Sequence, residues 1–174
     1  MTTWPTIDLS GNIRPTYRQP LEQIVRWAID QTPDAATACL EVHVRLRNVI
    51  GGGVSGVMYH EPHHANSMTR ARPEATHLVT LSLQHHRGAP DITPGVEIPL
   101  YTRRRGTPPV HAANWAEYLV FVAAHEAWHV HQSIRAARPG HTGPKFSEVE
   151  ADQWGTTILD LYRATTPTPG RITP

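Results

Sequence analysis

The feature that most constrains this chain is one uninterrupted run, WAEYLVFVAAHEAWHVHQSIRAA, over residues 115–137. It holds neither Gly nor Pro, and Arg138-Pro139-Gly140 ends it. The spacing predicts a single helix roughly 35 Å long. Asn114 and Glu117 stand three apart at its start, a pair that resembles a capping box. Residues 118–124 are apolar on every side, and a helix that is apolar all round passes through a core instead of lying on it. Whatever else the chain forms has to wrap this rod.

Upstream, Leu21, Ile24, Val25 and Ala28 recur at helical spacing after Pro20, which predicts a short amphipathic helix ending before Pro33. Over residues 38–50, Leu40, Val42, Val44 and Leu46 alternate with Glu41, His43, Arg45 and Arg47, the period of a half-buried strand. Gly51-Gly52-Gly53 then supplies a turn to a hairpin partner over 54–59. Residues 77–83 alternate again, and 96–101 offer a weaker fourth strand. A last helix is expected over about 147–163. Residues 1–18 are polar and carry Pro5 and Pro15; they read as an extended lead-in, and 164–174 as a flexible tail. At 174 residues, a single α+β domain over 1–174 is expected, with a small twisted sheet packed on the long helix and the helix that follows.

Several function classes drop out at this stage. The longest apolar stretch, Leu119 to Ala124, is far short of the ~18 residues that span a bilayer. The start, MTTWPTIDLSGN, has neither a basic end nor an apolar core, so no secretory signal is read and a cytoplasmic location is expected. A formal charge of +1 argues against duplex DNA as a partner. The lone Cys39 excludes an internal disulfide and a cysteine-based zinc cluster, and reads as a small core residue.

Inside the buried run stands His125-Glu126-Ala127-Trp128-His129, an HExxH pattern. Residues four apart share a helical face, so two imidazoles can converge on one ion. Glu126, one place on, points aside and can reach a water there without ligating the ion. In a chain with 12 histidines the pattern arises by chance with a probability of about 0.04. Its place in a buried helix argues further against accident, because unpaired polar side chains are costly there. Trp128, between the two histidines, is expected to pack this helix on its neighbour. A catalytic zinc also needs a third protein ligand and an open position.

Nineteen residues after His129 begins Glu148-Val149-Glu150-Ala151-Asp152, preceded by Ser147. HExxH followed at this distance by ExxxD resembles the gluzincin clan of zinc metallopeptidases, in the wording of its compact bacterial members, over about residues 115–160. The resemblance implies a zincin-like fold, one Zn2+ per chain, and hydrolysis of a peptide or protein substrate by zinc-activated water with Glu126 as general base. It also implies His125, His129 and Glu148 as ligands, and Asp152 as the carboxylate that orients a ligating histidine. Glu150 competes with Glu148 for the ligand role. Ser147 and Glu150 satisfy a capping box, which gives Glu150 another task, and only Glu148 has an aspartate four residues on.

The oxyanion of such a reaction needs one more donor, for which His141, Tyr101 and Tyr162 are candidates. His60, His63 and His64, with His85 and His86, could line the cleft or bind a second metal, although such clusters in polar loops are more often solvated. His131 faces another side of the helix and is not expected to ligate. Arg103-Arg104-Arg105 reads as a solvated loop. Two rival functions are a metal-binding regulatory protein without turnover and a SprT-like protease acting on DNA-bound protein. The second rests on the arginine run alone. A peptide deformylase also carries HExxH, but its cysteine-bearing ligand motif is absent.

Overall fold

A computed structural model describes residues 4–35, 37–47, 53–60, 71–92, 94–100, 108–142 and 145–166. In chain order these form strand β1 (Thr6–Ser10), helix α1 (Pro15–Asp30), strands β2 (Leu40–Leu46), β3 (Val54–His60), β4 (His77–Leu83), β5 (His85–His86), β6 (Ala89–Pro90), β7 (Val96–Ile98) and β8 (Val110–Ala112), then helices α2 (Trp115–Ala136) and α3 (Glu148–Thr165). The result is a small α+β domain with a mixed sheet.

The unbroken run folds as α2 and takes the central position. Asn114 Oδ1 accepts from the Glu117 N–H, and the Glu117 carboxylate reaches back to the Ala113 N–H, so two otherwise orphaned donors are satisfied. One side of α2, with Leu119, Val122, Ala123 and Val130, packs on Val42, Val44, Val79 and Leu81 of the sheet and on Leu21 and Val25 of α1. Its other side, with Val120 and Ala124, meets Ile158 and Tyr162 of α3. Packing on both sides explains why residues 118–124 carry no polar face. Among the described residues, no helix is long and apolar enough to cross a membrane.

The main sheet has the order β1-β2-β4-β3. β1 and β4 both run parallel to β2, whereas β3 pairs antiparallel with β4. This corrects the expected β2–β3 hairpin: β4 lies between the two. Nearly every residue of β4 is buried on both faces, which suits an interior strand, while β3 carries Gly56 and an exposed Val57 and suits a margin. β7 pairs with β8 outside this sheet, so the expected fourth strand forms but does not join it. On the polar side of β2, Glu41 and His43 are buried, whereas Arg45 is half-buried and Arg47 exposed. His43 Nε2 lies 2.8 Å from Glu41 Oε1, and the Arg72 N–H donates to the same carboxylate, so these polar groups have partners.

The lead-in is extended but paired, since β1 adds to the sheet along β2. Helix α1 starts at Pro15, earlier than expected, and Pro20 falls inside it. Pro15 occupies the first turn, where a missing N–H costs nothing, and Pro20 forfeits one internal bond. Cys39 is half-buried beside β2.

Helix α3 closes against α2 at Gly155. A Cβ there would stand 2.9 Å from Phe121 Cε2 and 3.1 Å from the Phe121 carbonyl oxygen, so the close approach requires glycine. Gly155→Val is therefore expected to cost about 1–3 kcal/mol by overpacking, read as a lower urea midpoint of the metal-free protein. Trp128 stacks on Trp154 of α3 with ring centroids 4.7 Å apart, the packing role expected of it.

Candidate metal centre

One helical turn separates His125 and His129 on α2, and their Nε2 atoms lie 3.2 Å apart. Glu148, the first residue of α3, brings Oε2 to 3.2 Å from His125 Nε2 and 3.5 Å from His129 Nε2. These three side chains are the group of metal-ligating type found among the described residues. Four ligands arranged tetrahedrally at roughly 2.0–2.1 Å from an ion stand about 3.3 Å from one another. The observed triangle matches one face of that tetrahedron.

The far side of each ring decides what its near side can do. His129 Nδ1 lies 2.8 Å from Gln132 Oε1, and an amide oxygen can only accept, so that proton belongs to the ring. His125 Nδ1 faces Asp152 Oδ1 at 3.2 Å, and a carboxylate likewise accepts. A neutral His129 therefore turns its Nε2 lone pair towards His125 and Glu148 Oε2, and a neutral His125 with its proton on Nδ1 turns its own towards His129 and the same oxygen. That oxygen is shielded from solvent and finds no hydrogen-bond donor among the described residues. With both rings neutral, three electron-pair donors converge with no proton to share between them. Such an arrangement is costly unless a cation occupies it, and so the residues present fit a metal ion.

The electrostatics agree. Burial opposes a charge on His125, but the Asp152 hydrogen bond and the charges of Glu126, Asp152 and Glu148 outweigh it and hold its pKa above the ordinary value. A site that attracts a proton this way attracts a cation. Burial pushes the Glu126 carboxyl up to about 7; Glu148 adds to the rise, while His125 and a hydrogen bond from the Met58 backbone oppose it. The Glu126 carboxyl thus sits beside the triad and is not one of the three groups that converge.

Glu150 is engaged elsewhere. It pairs with Arg135 at 3.0 Å and accepts from Gln132 Nε2, and the Gln132 hydrogen bond, opposed by burial and aided by Arg135, holds its pKa below the usual carboxylate range. Ser147 accepts from the Glu150 N–H as the cap of α3. Of the two competing glutamates, Glu148 is the one brought to the imidazoles.

Beside the triad lies a cleft of about 280 Å3, lined by Gly56, Val57, Met58, Phe146, both histidines, Glu126 and Glu148. The triangle opens onto this cleft, while Glu148 Oε2 itself is shielded from solvent. Sequence reasoning missed the strand and loop residues of this lining as well as Gln132. Gly56 is needed because a Cβ there would stand 2.5 Å from Glu126 Cγ. Phe146 packs edge-on against His129, with ring centroids 5.8 Å apart. The available signals were weak: a glycine inside a strand pattern, and a glutamine one turn beyond the second histidine.

Of the remaining candidate donors, Tyr162 and His141 are among the described residues. Tyr162 packs against Trp27 in the cluster between α2 and α3 and does not line the cleft, and neither does His141 in the α2–α3 connection. Tyr162 thus belongs to the side of α3 that faces Val120 and Ala124. Tyr101, His63, His64 and the Arg103–Arg105 run lie outside the described residues. His60 packs on His77 with centroids 5.1 Å apart, and His85 and His86 form β5; among the described residues no second metal-ligating group forms. His131 is held by Asp34 at 3.0 Å. Comparison with protein-family models, curated proteins and solved structures finds no match to this chain.

Proposed function

We propose that this chain is a zinc-dependent peptidase of the gluzincin type, in which His125, His129 and Glu148 hold one zinc ion and Asp152 orients His125. The carrying observation is the triangle of three electron-pair donors, 3.2, 3.2 and 3.5 Å on its edges. Nitrogen and carboxylate donors in this number, with an open fourth side, suit catalytic zinc better than a closed structural site. When bound, zinc supplies Lewis acidity, which acidifies water and polarises a carbonyl.

The chain's own residues do the rest. The Glu126 carboxylate accepts the proton of the attacking water and returns it to the leaving amine. Burial against Gly56 and the Met58 N–H fixes where that carboxylate stands. β3 lies at the sheet margin beside the cleft, so an extended peptide can add to it as a further strand, held by backbone hydrogen bonds. Phe146, 40% exposed, supplies apolar surface in the cleft.

The test is cleavage of a proteome-derived peptide library by the zinc-loaded chain, with new N-termini read by mass spectrometry. Zinc-dependent cleavage that stops on chelation is expected. One tightly bound zinc with no cleavage would overturn the peptidase reading in favour of a metal-binding regulator. Gly56→Ala should leave zinc binding intact and slow cleavage on the order of 10²-fold, because displacing the base by about 1 Å suffices for that; paired zinc titrations and rate measurements check it.

A further inference from the structure

Gln132 is fully buried, 0% exposed, one turn beyond His129 on α2. A buried primary amide has to find partners for both its ends. Here Oε1 accepts from His129 Nδ1–H at 2.8 Å and from the Ser147 N–H at 3.2 Å. Nε2 donates to the Ser147 carbonyl at 3.0 Å and to Glu150 Oε2 at 3.1 Å. The two donor contacts fix which end of the amide faces His129, because Ser147 C=O and Glu150 can only accept.

We propose that Gln132 is a positioning residue that sets two of the three ligands at once: the tautomer of His129 and the place of Glu148. The first effect is direct, since its oxygen holds the ring proton on Nδ1 and leaves Nε2 bare towards the site. The second works through the backbone. Ser147 is the cap of α3 and Glu148 the residue after it, so gripping both backbone groups of Ser147 fixes where the Glu148 carboxylate begins. One side chain on α2 thereby matches the carboxylate on α3 to the imidazole on its own helix. The proposal rests on the triad being a metal centre, but its tautomer half can be measured without metal.

Without the Gln132 oxygen, a proton on His129 Nδ1 would be buried and unpaired, at the cost of a lost hydrogen bond. The ring has an alternative, because Glu148 Oε2 lies 3.5 Å from Nε2. The proton should move to Nε2, point into the site and occupy the position a cation needs. In Gln132→Leu, ring nitrogen NMR of the metal-free protein at about pH 9, above the ordinary imidazole range, should show His129 changing from the Nδ1–H to the Nε2–H form. Zinc affinity, measured by chelator competition, should fall about 10- to 100-fold. Gln132→Glu keeps an acceptor for His129 but sets a carboxylate against the Ser147 carbonyl and Glu150. It should retain the Nδ1–H form and still lose zinc affinity, which separates the two effects and serves if the leucine variant does not fold.

A folded Gln132→Leu that keeps the Nδ1–H form, or that binds zinc within twofold of wild type, overturns the proposal. So does a Gln132→Glu chain that takes the Nε2–H form or binds zinc as tightly as wild type. A wild-type chain that binds no zinc would sink the metal reading instead, and the tautomer measurement would still stand by itself.

Discussion

Glu126→Gln should bind zinc as wild type does and cleave peptides on the order of 10²–10⁴-fold more slowly, the range typical for loss of a general base. The amide has nearly the volume of the carboxyl, so it fits against Gly56, and its oxygen still accepts from the Met58 N–H. What it lacks is a site for a proton. None of the three converging ligand atoms belongs to this residue, so metal content is the internal control. Loss of both zinc and activity would mean that the substitution had disturbed the triad, and the role assigned to Glu126 would fail. Stability offers a second readout. The folded pKa of about 7 lies above the ordinary 4.5, so between those pH values the native metal-free protein holds a proton that the unfolded chain has released. Wild-type stability therefore falls as pH rises through this window, and the penalty is complete above it. Metal-free Glu126→Gln should be the more stable of the two above pH ~7, by roughly 3 kcal/mol at most, and the difference should fade towards pH ~4.5. Urea unfolding at several pH values measures it.

The second large effect is that of the metal on the fold. Zinc at about a thousandfold its dissociation constant is expected to stabilise the chain by about 4 kcal/mol, or roughly 8–16 °C in Tm for a protein of this length. The cause is the convergence at the triad, where unshared electron pairs crowd together until a cation neutralises them. Glu148→Ala is the informative variant. Its side chain is 44% exposed and makes no hydrogen bond through Oε2 among the described residues, so truncation should change metal-free stability by only about 0.5 kcal/mol. The same change should remove most of the zinc-induced rise in Tm. His125→Ala should abolish that rise too, at a greater cost to the fold because the ring is buried. If calorimetry gives the same zinc-induced shift in Glu148→Ala as in wild type, Glu148 is not a ligand.

Local periodicity and punctuation carried much of this protein. Helix α2, its Asn114 cap, the strands β2 and β4, the Ser147 cap and the preference for Glu148 over Glu150 could all be read because each depends on residues within a few positions of one another. Strand order could not. Whether β3 pairs with β2 or β4 depends on which strand best tolerates a solvated margin, and Gly51-Gly52-Gly53 looks the same either way. β1 escaped because TIDLS is short and becomes a strand only when β2 offers it an edge. Gln132 escaped for a similar reason: its four hydrogen bonds reach His129 on its own helix, Glu150 on α3 and, twice, Ser147 at the cap of α3, and a glutamine on a helix ordinarily reads as a solvated residue. Helical spacing alone likewise does not say which side of α3 faces the cleft, so the packing of Tyr162 on Trp27 could not be read from the chain.

Glu148 is the opening residue of its helix, and helix ends unravel more readily than interiors. Two jaws of the grip are thus anchored deep in the most buried rod of the molecule, while the third stands at the very end of its helix and is tied down through its neighbour Ser147. Uptake and release of the ion then need only a local loosening of a few residues, so amide exchange near the start of α3 should slow first when zinc arrives.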